Sequence, residues 1–291
     1  AIVIHRGTRL KKRLRPNVLS GGRGQSLRSN SGALCGATAQ PLHAAPPGAS
    51  GEATQRRSAQ ARRCWMNNYE MLKKIGAGSF GSVYLCVQKS TAKHCVMKRI
   101  ELRALNDKER HSAHQEAKLL SQLDHPNIVQ HVDTLCSRSK LYLFMQYCEG
   151  GDLEHRIQSL KETSGALGEP QLLDWFVQMA LALEYLHSRR ILHRDLKTAN
   201  VFLTRRGIVK LGDFGVAKVL DATRALARTM CGTPYYLSPE LLNNEPYGVA
   251  SDVWALGCIL HEMATLEHPF EAKNFPSLAF KILNEEPSPI A

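Results

Sequence analysis

The sequence predicts an α+β fold with two lobes, a β-rich N-terminal lobe that contains one helix and a mainly helical C-terminal lobe. Short runs of β-branched and aromatic residues recur over 69–146, and a segment with helical periodicity at 107–123 interrupts them. A connector with two adjacent glycines follows at 146–152. Beyond it, apolar residues recur at helical spacing over 172–187, which predicts a buried helix. The apolar positions of that helix are Leu173, Phe176, Val177, Ala180, Leu183 and Leu186.

The charge and cysteine content argue against several classes of protein. The chain has 291 residues and a formal net charge of +12, of which residues 1–65 alone contribute +11. Because the rest is near neutral, we expect no nucleic-acid binding by the folded part. The eight cysteines form no CxxC pair, which argues against a zinc site or a disulfide framework. No apolar run reaches the length of a transmembrane helix.

The segment 1–65 is rich in Arg, Ser, Gly and Ala and contains too few apolar residues to fold alone. The chain begins with Ala1, and its first methionine is Met66. We favour a disordered extension, or sequence upstream of a start at Met66. The alternatives are an organelle transit peptide and a basic arm that binds nucleic acid or anionic membranes.

A glycine-rich string at 76–81 predicts a turn that binds phosphate. A β-branched run follows it, so the motif joins two strands, whereas the dinucleotide-binding motif of the same spacing leads into a helix. A dehydrogenase is therefore a distant alternative. Glycines in such a turn let backbone N–H groups approach a phosphate closely. The residues of this candidate phosphate loop are Gly76, Ala77, Gly78, Ser79, Phe80 and Gly81.

A second string, His-Arg-Asp-Leu-Lys-Thr-Ala-Asn at 193–200, carries the groups that phosphoryl transfer needs. Asp195 offers a base for a hydroxyl, and Lys197 offers a cation for the moving phosphate. Asn200 and Asp213, the latter at the start of Asp-Phe-Gly, offer the oxygen ligands that Mg²⁺ prefers.

Together with the strand His-Cys-Val-Met-Lys-Arg-Ile at 94–100, these strings resemble the protein kinases. The resemblance implies ATP and Mg²⁺ as cofactors. It implies that Asp195 is the base, that Lys197 contacts the moving phosphate, and that Asn200 and Asp213 bind Mg²⁺. It also implies that Lys98 pairs with the α- and β-phosphates and is held by an ion pair with Glu116. Asp252, in the string Ser-Asp-Val-Trp, matches the family's aspartate that braces the catalytic-loop backbone.

The resemblance also implies an adenine and ribose site next to the connector. Backbone groups of Gln146 and Cys148 would meet the adenine, and Asp152 would reach the ribose. Val96 stands where the family usually has alanine, which would narrow the adenine site without excluding ATP. We interpret Cys148 as an inert buried thiol. The residues of the site would be Val83, Val96, Met145, Gln146, Cys148, Asp152 and Phe202, with Met145 guarding its back pocket.

The segment 213–240 resembles the family's activation segment. Thr229 is the best candidate for a phosphate acceptor there, because Arg194 would offer the phosphate a cationic partner. The alternative is that Thr229 is only an exposed hydroxyl. Thr233, together with Lys197, matches the pattern of Ser/Thr-specific kinases and would belong to the loop that contacts the substrate.

Several strings narrow the resemblance to the NimA-related (Nek) kinases over about residues 69–290; they lie at 146–153, 173–178, 211–220, 232–240 and 268–272. The narrower resemblance implies phosphorylation of Ser and Thr in protein substrates. It further implies activation by an upstream kinase or by a second copy in trans. The implied location is the cytoplasm, with the centrosome, cilium or microtubules as more specific addresses.

One departure concerns the C-terminal lobe. Protein kinases continue past the position of residue 284 with further helices, including an arginine that pairs with the glutamate here numbered Glu240. We therefore expect an incomplete lobe with uncovered apolar surface. The alternative function is an inactive kinase fragment or pseudokinase that acts as an interaction module, although no catalytic residue is missing. The predicted domains are an extension at 1–65 and a catalytic domain at 66–291, with an N-lobe (69–146), a hinge (146–152) and a C-lobe (153–291).

Overall fold

The computed structural model describes residues 67–78, 81–137, 139–213 and 234–290. Its N-terminal lobe is an antiparallel sheet of five strands in the order β1-β2-β3-β5-β4. The strands are β1 (Tyr69–Gly78), β2 (Gly81–Gln88), β3 (Lys93–Glu101), β4 (His131–Cys136) and β5 (Lys140–Gln146). The two strands predicted on either side of the glycine-rich string are present, and they pair in antiparallel register up to Gly78 opposite Gly81.

One helix, α1 (Asp107–Leu120), lies between β3 and β4. It begins at a capping box in which the Asn106 side chain accepts from the Glu109 backbone N–H and the Glu109 carboxylate accepts from the Asn106 N–H. These bonds satisfy donors that the first turn of a helix leaves free. Ala113 and Ala117 are buried on the helix face that belongs to the main core. That same face carries the carboxylate of Glu116, which is buried.

The C-terminal lobe is built mainly from helices, which confirms the predicted fold class. Its helices are α2 (Leu153–Glu162), α3 (Glu169–Ser188), α4 (Pro239–Leu242), α5 (Val249–Thr265) and α6 (Phe275–Asn284). A two-stranded hairpin, β6 (Val201–Leu203) with β7 (Val209–Leu211), lies at the edge of this lobe that faces the connector. Helices α3 and α5 pack against each other through fully buried residues such as Met179 and Ile259.

Helix α3 is present where the sequence predicts it, but the face that it buries differs from the predicted one. Leu173 and Val177 are 43% and 52% exposed, whereas Trp175 and Met179 are buried. The indole N–H of Trp175 donates to the carbonyl of Gly207 in the hairpin turn (2.8 Å), which turns the tryptophan side of the helix inward. The expectation that the helix buries Leu173 and Val177 was therefore wrong.

The Glu240 carboxylate, expected to lack its arginine, accepts a hydrogen bond from the Ser251 hydroxyl at 2.5 Å. Ser251 is buried and lies in the first turn of α5, so this bond ties α4 to α5. In the described part of the chain, no helix is both long enough and apolar enough to cross a membrane.

Candidate active site

The backbone of the catalytic loop at 193–200 is held by one buried carboxylate, that of Asp252 on α5. Its oxygens accept from the backbone N–H groups of His193 (2.9 Å) and Arg194 (3.0 Å). They also bond the ring of His187 (2.7 Å) and the hydroxyl of Tyr247 (2.5 Å). Arg194 has a φ of 66°, a conformation that non-glycine residues adopt only when their surroundings hold them there. Asp252 supplies that restraint.

Asp195, Lys197 and Asn200 of this loop lie together. The Asn200 amide donates from Nδ2 to both the backbone oxygen (2.7 Å) and the Oδ2 (3.1 Å) of Asp195. The ammonium of Lys197 lies 3.6 Å from the same Oδ2. Since the nitrogen of the Asn200 amide faces Asp195, its oxygen is left for another partner. The loop thus presents a carboxylate beside a cation, with an amide oxygen next to them.

The loop has a second anchor that motif reasoning missed. The hydroxyl of Thr198 lies 2.9 Å from the hydroxyl of Tyr236, which in turn donates to the buried carboxylate of Glu262 on α5. Burial and the charge of Glu262 raise the pKa of Tyr236, so it stays a neutral donor. Glu262 lies ten residues after Asp252 on the same helix, so α5 holds the loop at two places.

Lys98 on β3 is shared by two carboxylates from different parts of the chain. Its Nζ lies 2.8 Å from Asp213 Oδ1 and 3.7 Å from Glu116 Oε1. Burial opposes the charge of Lys98, but the two carboxylates outweigh it and raise its pKa, so the lysine is a cation. Burial raises the pKa of Glu116, and Lys98 offsets part of that rise. Asp213, at a φ of 52°, lies two residues after the end of β7.

The strand register places the candidate adenine residues on the same sheet face as Lys98. Val83 on β2 lies directly opposite Lys98, and Val96 on β3 lies opposite Met145 on β5. Opposed residues in an antiparallel pair share a face, and so do residues two apart on one strand. The face that carries the ion pair therefore also carries Val83, Val96 and Met145.

The connector pairs with the β6 strand. Asp152 and Phe202 form an antiparallel bridge, and Gly150 and Gly151 exchange backbone hydrogen bonds with Leu203 at 2.8 Å each. Asp152 also caps α2 by accepting from the N–H of its third residue. This pairing brings the candidate ribose residue and the candidate adenine residue of the hairpin next to each other.

The resemblance assigned two further connector residues, Cys148 and Gln146, to the adenine site. Cys148 is buried, and burial raises its pKa to about 11, as expected for an inert thiol. Gln146 ends β5, opposite Cys95. Four further candidates, Ser79, Phe80, Thr229 and Thr233, lie outside the described residues.

The donor set suits Mg²⁺ better than a softer metal. Within the described ranges, no group of three or more His, Cys, Asp or Glu side chains is placed to hold a metal ion. The candidate ligands are one carboxylate, Asp213, and one amide oxygen, Asn200. Mg²⁺ takes few protein ligands of this kind and completes its shell with water and phosphate oxygens.

Gly81, in the candidate phosphate loop, has no room for a side chain. A Cβ there would lie 1.7 Å from the carbonyl oxygen of Arg99 on the neighbouring strand, whereas a Cβ at Gly76 would lie 3.7 Å from the nearest atom, in Val83. We expect Gly81→Ala to lower the free energy of unfolding by about 1–3 kcal/mol, because β2 and β3 must move apart. Gly76→Ala is the matched control. Urea unfolding of both variants checks this, and equal stabilities would contradict it.

Comparison with known proteins agrees with this geometry. Residues 69–288 match the model of the protein kinase domain. Serine/threonine-protein kinase Nek1 of Mus musculus is 50% identical over 227 residues, which are 78% of this chain and 19% of the relative. Nek4 of Mus musculus is 49% identical over 79% of this chain and 28% of its own length. Nek5 of Homo sapiens is 45% identical over 78% of this chain and 32% of its own length.

A solved structure shares the fold. The crystal structure of Rad53 1-466 in complex with AMP-PNP superposes with a TM-score of 0.63 at 28% identity, over 75% of this chain and 54% of that one. The chain spans about a fifth to a third of the length of the three Nek relatives named above. The chain belongs to the protein kinase family, and its kinase domain is of the Nek type.

Proposed function

We propose that this chain is an ATP-dependent protein kinase that transfers the γ-phosphoryl group of ATP to Ser and Thr hydroxyls of protein substrates. The observation that carries the proposal is Lys98, whose ammonium joins Glu116 and Asp213 on the sheet face that also bears Val83 and Val96. A cation held by two carboxylates can pair with the phosphates of a nucleotide. The apolar surface beside it can contact the adenine of the same nucleotide.

Each part of the ATP molecule would be contacted by a different set of residues. The apolar face and Phe202 would enclose the adenine, with Asp152 at the ribose and Lys98 at the α- and β-phosphates. The N–H groups at Gly76–Gly81 would contact the phosphates. Mg²⁺, held by Asn200 and Asp213, would neutralise charge on the phosphate oxygens.

Asp195 would accept the proton of the attacking hydroxyl as that oxygen bonds to phosphorus. The leaving ADP keeps the electrons of the broken bond. Lys197, 3.6 Å from Asp195, would stabilise the charge on the transferred group. The oriented backbone at 193–194 supports this proposal, since Asp252 fixes the loop before any substrate arrives.

The finer assignments also belong to the proposal. We place the lobe boundaries at 69–146 and 153–291, with the hinge between them. Phosphorylation of Thr229 by an upstream kinase or by a second copy would activate the enzyme through Arg194, and Thr233 would contact the substrate. Family resemblance supports a cytoplasmic, centrosomal or ciliary role. An inactive interaction module is not favoured, because Lys98 and the catalytic loop keep every polar group that the reaction needs.

The direct test is transfer of label from γ-labelled ATP to casein, followed by analysis of the labelled amino acids. We expect label on serine and threonine in the presence of Mg²⁺ and none after chelation by EDTA. Label confined to tyrosine, or no label from a folded protein that binds ATP, would contradict the proposal.

A further inference from the structure

The first turn of α2 contains an ion pair that the proposed chemistry does not use. The ring Nδ1 of His155 lies 2.7 Å from Oδ1 and 2.8 Å from Oδ2 of Asp152, so it contacts both carboxylate oxygens. The backbone N–H of His155 also donates to Oδ1, at 2.8 Å. The imidazole thus engages the carboxylate assigned to the ribose.

The contact lies at the nucleotide cleft. Asp152 forms a backbone bridge with Phe202, the residue placed under the adenine, and its side chain is only 20% exposed. The His155 side chain is 83% exposed. An exposed ring therefore contacts a largely buried acceptor at the edge of the cleft.

The charged groups that act on His155 are carboxylates, and their effect outweighs a small opposing effect of burial. Its hydrogen bond to Asp152 and the charge of that residue raise its pKa, and Glu154 adds to the rise. The described elements that pack most closely on α2 are the turn Thr198–Asn200 and strand β6, and neither carries a charged side chain. Protonation of the ring is thus governed by Asp152 and its neighbour Glu154.

A carboxylate offers about four lone-pair positions. The single Nδ1–H of His155 is shared between both oxygens of Asp152, and the backbone N–H of His155 takes a further position on Oδ1. A ribose hydroxyl must donate to the same carboxylate. The bond from a protonated imidazole is charge-assisted, so it is stronger than the bond from a neutral hydroxyl. The ribose hydroxyl therefore competes most effectively for the Asp152 carboxylate when the imidazole has lost its charge.

We propose that His155 is a positioning residue that competes with the ribose of ATP for Asp152, so that the ribose contact strengthens as the imidazole loses its proton. The inference rests on the proposed ATP site. It makes nucleotide affinity sensitive to pH through a residue outside the catalytic loop. By reciprocity, bound ATP lowers the pKa of the His155 ring.

The experiment compares ATP with 2′,3′-dideoxy-ATP by calorimetry at pH 6.0 and pH 8.5. Both nucleotides carry the same titrating phosphates, so the ratio of their dissociation constants isolates the hydroxyl contacts. We expect the preference for ATP to rise about fivefold between the two pH values, the scale of one weakened hydrogen bond. In His155→Ala, whose backbone N–H still caps α2, the preference is expected to be high and equal at both pH values.

His111→Ala, at an exposed histidine of α1, is the matched control and should keep the wild-type pH dependence. Titration of the His155 ring by NMR, with and without ATP, gives a readout that a purely structural role would not change. The inference is overturned if ATP binds but the wild-type preference for ATP over 2′,3′-dideoxy-ATP does not change with pH. It is also overturned if His155→Ala leaves that preference and its pH dependence unchanged. Loss of all nucleotide binding at both pH values would overturn the proposed function as well.

Discussion

Replacing Asp195 with asparagine is expected to lower the rate of phosphoryl transfer by about 10²–10⁴-fold, because a carboxamide cannot take the proton of the substrate hydroxyl. The substitution preserves the shape of the side chain, and its amide oxygen can still accept from Asn200, which in the wild type donates to Oδ2 of Asp195 at 3.1 Å. The bond from Asn200 to the backbone oxygen of residue 195, at 2.7 Å, does not depend on that side chain. We therefore expect ATP affinity within a few-fold of the wild type. Single-turnover transfer to casein measures the first quantity, and calorimetry measures the second.

The matched control is Asp124→Asn, at an exposed aspartate between α1 and β4. It should transfer phosphate at the wild-type rate. If Asp195→Asn kept a rate within threefold of wild type while its ATP affinity fell, Asp195 would be a binding residue and the assignment of the base would be wrong.

Replacing Lys98 with methionine is expected to lower transfer by about 10²–10³-fold, the loss seen when one preorganised electrostatic group is removed. The variant also leaves Glu116, whose side chain is 6% exposed, without its cation. Burial already raises the pKa of Glu116, and without Lys98 it rises further. A carboxyl whose pKa is higher in the folded state destabilises that state as the pH rises above its pKa in the unfolded chain, and the loss is complete once the pH exceeds its folded pKa. Lys98→Met should therefore lose stability as the pH rises.

Two controls separate the catalytic effect from the structural one. Lys93→Met changes an exposed lysine at the start of the same strand and should alter neither rate nor stability. In the double variant Lys98→Met, Glu116→Gln, the buried charge is gone, so stability should recover while transfer stays low. Thermal unfolding across pH and the transfer assay measure both. Recovery of transfer in the double variant would contradict the role given to Lys98.

Much of the site could be predicted because its chemistry is encoded in short strings. The residues at 193–200 supply a base, a cation and an amide within eight positions, and a β-branched run after Gly81 is enough to distinguish a strand–turn–strand from a strand–turn–helix. The pairing of Lys98 with Glu116 is different. The two are eighteen residues apart on a strand and a helix, so only family resemblance predicted that they meet.

Other features could not be predicted, for physical reasons. The buried face of α3 depends on what Trp175 contacts, and its partner Gly207 is thirty-two residues away. The bond from Tyr236 to Glu262 joins a turn to a helix, and nothing in either string marks it. His155 reads as an exposed side chain in the first turn of a helix. Its contact with Asp152 depends on the rotamer, which the sequence does not specify.

The central claim is that the described residues form one phosphoryl-transfer site. The most direct measurement is the single-turnover rate of label transfer from ATP to casein, run in parallel on wild type, Asp195→Asn, Lys98→Met and the controls Asp124→Asn and Lys93→Met. We predict Mg²⁺-dependent labelling of serine and threonine in the wild type and both controls, and a loss of about 10²-fold or more in the other two variants. Equal rates in all five proteins, or no transfer by a folded wild type that binds Mg-ATP, would contradict it.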